Sequence, residues 1–247
     1  MKLLDDKLHT PFYLKTSEDM ELPVDVPVYY LLTADELFLC RNHRFYTSSV
    51  PAPYWPSELA THKKFMRLRV PKVPRRMFEQ VVGFFDIIAR THGAEAIVLF
   101  AWDDNENCMR VIVPHQCATV STGWSGGVYP MDVRYEIPQL PGGWMLIADA
   151  HSHADESAYA SYTDRQDELH AAGVHIVVGR VLSQERPELH IEAIVDGERF
   201  RVTDPAMVLG GYRARCTDVP QEWIDKVEVK SWSSKSQSYS TDGENAK

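Results

Sequence analysis

The stretch Trp144-Met-Leu-Ile-Ala-Asp-Ala-His-Ser-His-Ala-Asp-Glu-Ser-Ala-Tyr-Ala-Ser-Tyr-Thr-Asp164 decides how the chain is read. It opens with a run apolar enough for a buried strand. Side chains alternate faces along a strand, so His151 and His153 project to one side and bring two imidazoles to one point. Asp164 stands where a loop turns into a helix over residues 164–172, predicted to close on Gly173, a residue suited to the position just past a helix end. Two neutral ring nitrogens and one carboxylate oxygen suit a single Zn²⁺. Three protein ligands leave a fourth tetrahedral position for water, the arrangement of a catalytic rather than a structural zinc.

Each part of the pattern has a plainer reading. His-x-His on an apolar strand also describes packed core histidines, and Ser161-x-x-Asp164 ahead of a helix also describes a capping pair. Against the capping pair, Thr163-x-x-Gln166 offers a better box one step later, which would put Asp164 in the first turn and leave Ser161 free. Taken together, the residues favour a metal site.

The full spacing is His-x-His, seven residues, Ser161, two residues, Asp164. With it the chain resembles the JAMM (JAB/MPN+) zinc metalloproteases, which cleave peptide or isopeptide bonds at the C-terminus of ubiquitin-like proteins. The resemblance covers residues 73–202 and is strongest with the prokaryotic JAB branch found beside E1-like and ubiquitin-like proteins, including the PRTRC system protein A type. It implies a JAB/MPN-like α/β (α+β) fold, a mixed sheet flanked by helices, with His151, His153 and Asp164 holding Zn²⁺. It further implies a glutamate at the position of Glu95 as the base and Ser161 as a second catalytic group. The implied partners are a ubiquitin-like protein or its conjugate as substrate, and E1-like or E2-like proteins of the same system. The chain departs from the family around the ligands. Ala148-Asp149-Ala150 stands where Gly-Trp-Tyr is common, Ala154 where proline is common, and Val98 where a glycine follows the glutamate. Two other functions share the fold: a catalytically silent scaffold, which generally lacks the ligands, and a RadC-like protein linked to DNA.

Composition narrows these choices. The chain has 247 residues, 44% of them hydrophobic and 25% charged, enough for a large core in a soluble protein. A net charge of −9 without a dense Lys/Arg cluster argues against nucleic acid as the main partner and leaves a basic peptide or protein face as the better match. The four cysteines form no Cys-x-x-Cys pair and no signal-peptide core opens the chain, so a reduced, cytoplasmic protein is expected. No apolar run approaches the roughly 20 residues of a membrane span.

Residues 1–72 are predicted to form a β-rich accessory region, with short strands at 28–32, 37–40, 45–46 and 65–70, broken by Pro51, Pro53 and Pro56. Pro74 then opens a helix in which Phe78, Val81, Val82, Phe85, Ile88 and Ala89 share one face, ended by Gly93. A hairpin follows over residues 95–113. Residues 121–143 hold five glycines and read as a long loop or a loose hairpin beside the metal strand, where a substrate tail could add to a strand edge. Strands at 174–178, 189–195 and 198–202 complete the domain, and His170, His175 and His190 read as core or rim histidines. A short element at 220–225 falls in an extension, residues 203–230. Residues 231–247 are poor in apolar side chains and are expected to be disordered.

Overall fold

The computed structural model describes residues 10–57, 59–123, 126–167 and 172–232. The chain forms two compact units, residues 1–64 and 65–247. Residues 65–72 thus fall in the second unit. Its first residues alternate as a strand does, but no strand forms: Met66, Leu68 and Val70 lie half-buried against the core, while Phe65, Arg67 and Arg69 face outward. Alternation here reflects an extended segment lying on a core rather than one paired in a sheet.

The first unit is a four-stranded sheet in the order β1 (Phe12–Leu14), β2 (Val28–Leu32), β3 (Leu37–His43) and β4 (Tyr46–Pro51). Tyr29, Leu31 and Cys40 form its small buried centre. Pro51, which has no N–H to give a ladder, ends β4.

In the second unit α1 (Arg75–His92) begins after Pro74, and Gly93 closes it in the left-handed conformation at φ 63°, its N–H returning to the Ala89 carbonyl. The apolar face expected from the periodicity is buried, together with Gly83 and Phe84. It packs on a mixed six-stranded sheet ordered β12 (Glu198–Arg201), β11 (Glu188–Val195), β10 (Gly173–Gly179), β9 (Trp144–Ser152), β5 (Ile97–Asp103) and β6 (Cys108–Ile112). Only β9 and β10 run parallel; the other pairs are antiparallel. Val98, Phe100, Ala150, Val174, Ile176 and Val178 join the α1 side chains in one core. Alternation therefore turns Asp149, His151 and His175 to the opposite face.

A second sheet has the order β13 (Val227–Trp232), β7 (Gln116–Thr122), β8 (Val128–Tyr135). Of the two readings of residues 121–143, the hairpin is the one formed: β7 and β8 pair antiparallel, with a register shift at Thr119/Val120. Residues 231 and 232, expected in the disordered tail, finish β13, which pairs in parallel with β7. The remaining tail residues, 233–247, lie outside the described residues, as does His170. Besides α1, the described helices are short: α2 (Tyr162–Asp167) and α3 (Gln221–Ile224), with a 3-10 turn at Pro205–Met207. Among the described residues no helix is long and apolar enough to cross a membrane.

Candidate metal centre

The centre forms at the end of β9. His151 sits opposite Ile97 of β5 and beside Val177 of β10, so sheet bonding fixes it from both sides. The ladder continues past the strand: the His153 N–H donates to the Val178 carbonyl at 2.9 Å, and Arg180 N–H donates to the Glu156 carbonyl at 2.8 Å. Gly179 makes this possible. A Cβ there would come within 2.4 Å of the Ala158 nitrogen and 2.6 Å of the Glu156 carbonyl oxygen, so any larger residue would push away the loop that leads from His153 to Asp164.

Asp164 lies in the first turn of α2. Contrary to the expectation that Ser161 stands free, the two residues form the capping pair: Ser161 N–H donates to Asp164 Oδ2 at 2.7 Å, and Asp164 N–H donates to Ser161 Oγ at 3.2 Å. The helix starts at Tyr162, one residue ahead of Thr163, so the box that the sequence offers at Thr163-x-x-Gln166 loses to the one at Ser161-x-x-Asp164. Gly173, expected just past the helix end, is the first residue of β10, and residues 168–171 of the expected helix lie outside the described residues.

The three donors converge. His151 Nε2 lies 3.3 Å from His153 Nε2 and 3.5 Å from Asp164 Oδ2, and His153 Nε2 lies 3.7 Å from the same oxygen. Atoms about 2.0–2.1 Å from a tetrahedral zinc ion stand about 3.3–3.4 Å apart, so this triangle has the size of one face of such a site. The Ser157 carbonyl, 3.2 Å from His153 Nδ1, accepts a hydrogen bond from the N–H there and so leaves Nε2 with its lone pair toward the other donors. Both histidines are buried and Asp164 is partly so. Burial alone would raise the Asp164 carboxyl, but hydrogen bonds from His151 and His153 outweigh it and hold the group well below the ordinary carboxylate range. Burial would likewise lower His151, yet the Asp164 carboxylate keeps it above its usual value. A positive charge belongs between these groups, and a divalent cation fits the donor set.

Glu95 lines the same cavity, which has a volume of about 260 Å³. It precedes β5 rather than opening it, and two buried side chains hold the backbone that presents it. Ala96 N–H donates to Ser152 Oγ at 3.1 Å, and Gln116 brackets Ile97, accepting from its N–H at 2.8 Å and donating to its carbonyl at 3.0 Å. Neither Ser152 nor Gln116 was singled out in the sequence. Ser152 carried a signal, since a polar residue between two same-facing histidines points into the core and must find a partner there. Burial pushes the Glu95 carboxyl up to about 6, against the pull of His153 and His151.

That shift has a stability consequence. The unfolded carboxyl titrates at about 4.5, so the folded, metal-free protein binds the extra proton between about pH 4.5 and 6, and stability falls as pH rises through that window. The loss reaches about 2 kcal/mol above pH 6. Glu95→Gln, which has no charge to bury, is therefore expected to be more stable than wild type by up to about 2 kcal/mol at pH 7 and no more stable at pH 4. Urea titrations of chelator-treated protein at both pH values check this, and an equal difference at the two pH values would contradict it.

The cavity extends beyond the ligands to Asp149 and His175, whose Oδ2 and Nδ1 lie 2.7 Å apart, and to a wall formed by β8. His190 likewise pairs with a carboxylate, Glu192, at 3.2 Å. These two histidines are rim and sheet-face residues, and among the described residues only His151, His153 and Asp164 cluster as metal donors. On its outer side β8 has no strand partner among the described residues.

Comparison with known families matches residues 81–193 to the model of prokaryotic homologs of the JAB domain. The matched span runs from within α1 to β11 and includes all five candidate residues. No curated protein matches the chain.

Proposed function

We propose, on the match of residues 81–193 to the prokaryotic homologs of the JAB domain, that the chain is a zinc-dependent peptidase or isopeptidase acting at the C-terminus of a ubiquitin-like protein. JAB domains serve as hydrolases or as inactive scaffolds, and one observation favours hydrolysis: three metal donors spaced 3.3–3.7 Å apart at a cavity that a proton-binding carboxylate, Glu95, also lines. A scaffold has no use for that set.

Zinc, when bound, supplies a water whose pKa falls from 15.7 to about 7 and polarises the carbonyl under attack. Glu95 would accept a proton from the attacking water and hand it to the departing amine, a role helped by a carboxyl pushed up toward the working pH. Ser161 accepts the Asp164 N–H through an oxygen lone pair, so its own hydroxyl proton is still available to donate to the oxyanion that forms as the carbonyl becomes tetrahedral. The outer edge of β8 offers backbone groups to an extended substrate tail, which would lie along the cavity wall.

The test is cleavage of a linear fusion and an isopeptide conjugate of a ubiquitin-like protein, with activity lost on chelation and restored by zinc. Ser161 refines it. Ser161→Ala removes both cap and hydroxyl, so it is expected to lose about 1 kcal/mol of stability and roughly 100- to 1,000-fold in turnover. Ser161→Asp keeps an N-cap but donates no proton at neutral pH. It should recover the stability and not the rate. Full activity in Ser161→Asp would remove the hydroxyl from the mechanism, and zinc-loaded protein that forms complexes but turns over no substrate would support a scaffold instead.

A further inference from the structure

α2 carries a metal donor, yet its described side chains do little to hold it in place. Its described residues, Tyr162–Asp167, make fewer than two turns. Tyr162 is 80% exposed, and Thr163 and Arg165 also face solvent, so the described side chains of this helix bury no apolar surface that could fix it. The capping pair joins Ser161 to Asp164 but ties neither to the sheet.

Besides the Asp164 carboxylate itself, which meets His151 and His153, the backbone of α2 is tied to the sheet from β12. Arg199 Nη2 donates to the Arg165 carbonyl at 3.1 Å and reaches the Asp164 carbonyl at 3.5 Å. On its other side, Arg199 Nη1 donates to Glu192 Oε2 at 2.8 Å. Glu192 is itself buried on β11, and its second oxygen lies 3.2 Å from His190 Nε2. Ile191 and Ala193 belong to the core under α1, so alternation sends Glu192, and Arg199 from the neighbouring strand, to the sheet face that carries His151.

We infer that Arg199, oriented by Glu192, is the positioning residue that sets Asp164 against the two histidines, an inference that rests on the zinc reading above. The chemistry explains why an arginine stands there. A rigid, planar fork can grip a carboxylate with one nitrogen and helix carbonyls with another, whereas a lysine ammonium is a point charge on a flexible stem. Burial would raise the Glu192 carboxyl, but Arg199 and His190 hold it below its ordinary value, so the anchor of the fork stays ionised.

Two measurements on the full chain test this. The first is zinc affinity by competition with a chromophoric chelator. Arg199→Ala is expected to weaken zinc binding roughly 10- to 100-fold, the range seen when an outer partner of a metal ligand is lost. Arg199→Lys should fall between that and wild type, while Arg201→Ala, the same charge removed from the same strand, should stay within about twofold of wild type. The second is cleavage by trypsin after Arg165 in metal-free protein, expected to accelerate in Arg199→Ala and not in Arg201→Ala. Wild-type affinity in Arg199→Ala, or equal losses in both variants, would overturn the inference. If Arg199→Ala does not fold, Arg199→Lys carries both measurements. Wild type that binds no zinc would count against the proposed function, while the trypsin rates would still decide whether Arg199 holds α2.

Discussion

Glu95→Gln is expected to bind zinc as wild type does and to lose roughly 100- to 10,000-fold in turnover, the usual worth of a positioned general base. The substitution keeps the shape and length of the side chain and removes the group that accepts and returns a proton. Glu95 is not one of the converging donors, so the metal has no reason to leave. Its backbone is held through Ala96 and Ile97 by Ser152 and Gln116, and these contacts do not involve the substituted side chain. Loss of rate without loss of metal or fold is thus the specific signature of a base. Turnover in Glu95→Gln within a fewfold of wild type would remove Glu95 from the chemistry and direct attention to Glu156, the other glutamate at the cavity.

Replacing Asp164 should have the opposite signature, loss of metal with the helix start kept. In Asp164→Asn the side chain still offers an oxygen to the Ser161 N–H, so the capping pair survives, but the one anionic donor among three is gone. Zinc affinity is expected to fall by more than the roughly 10- to 100-fold that follows loss of an outer partner. Activity should follow the metal, recovering in part when zinc is raised. Asp164→Ala loses the cap as well, and the difference in stability between the two variants measures the capping pair, about 1 kcal/mol. Unchanged zinc affinity in Asp164→Asn would mean that the carboxylate only caps α2.

What the sequence made legible depended on whether the governing interaction was local. The helix α1 was readable because its buried residues recur with the helical period and Gly93 ends it in the left-handed conformation. The same-face placement of His151 and His153 follows from strand alternation alone. Where two local signals competed, local pattern ranked them wrongly, favouring Thr163-x-x-Gln166 over the pair that forms. Ser161 and Thr163 each head a capping box, and the choice between them fell to Asp164, whose carboxylate serves the Ser161 N–H and the two imidazoles together. Non-local pairing left no trace. β13 joins β7 across more than a hundred residues without a turn between them, so Val227–Trp232 gave no sign of a strand and was divided between the extension and the tail, and β1, three residues long, was missed altogether. The Arg199 to α2 contact is of the same kind, a side chain on one strand holding a helix far back in the chain.

The measurement that bears most directly on the whole account is the zinc content of protein purified without added metal, determined by elemental analysis alongside His153→Ala. The expected result is about one zinc per chain in wild type and little in the variant, matching a site with three protein donors. Wild type that holds no zinc even after zinc is supplied, or a variant that holds as much as wild type, would contradict the metal centre.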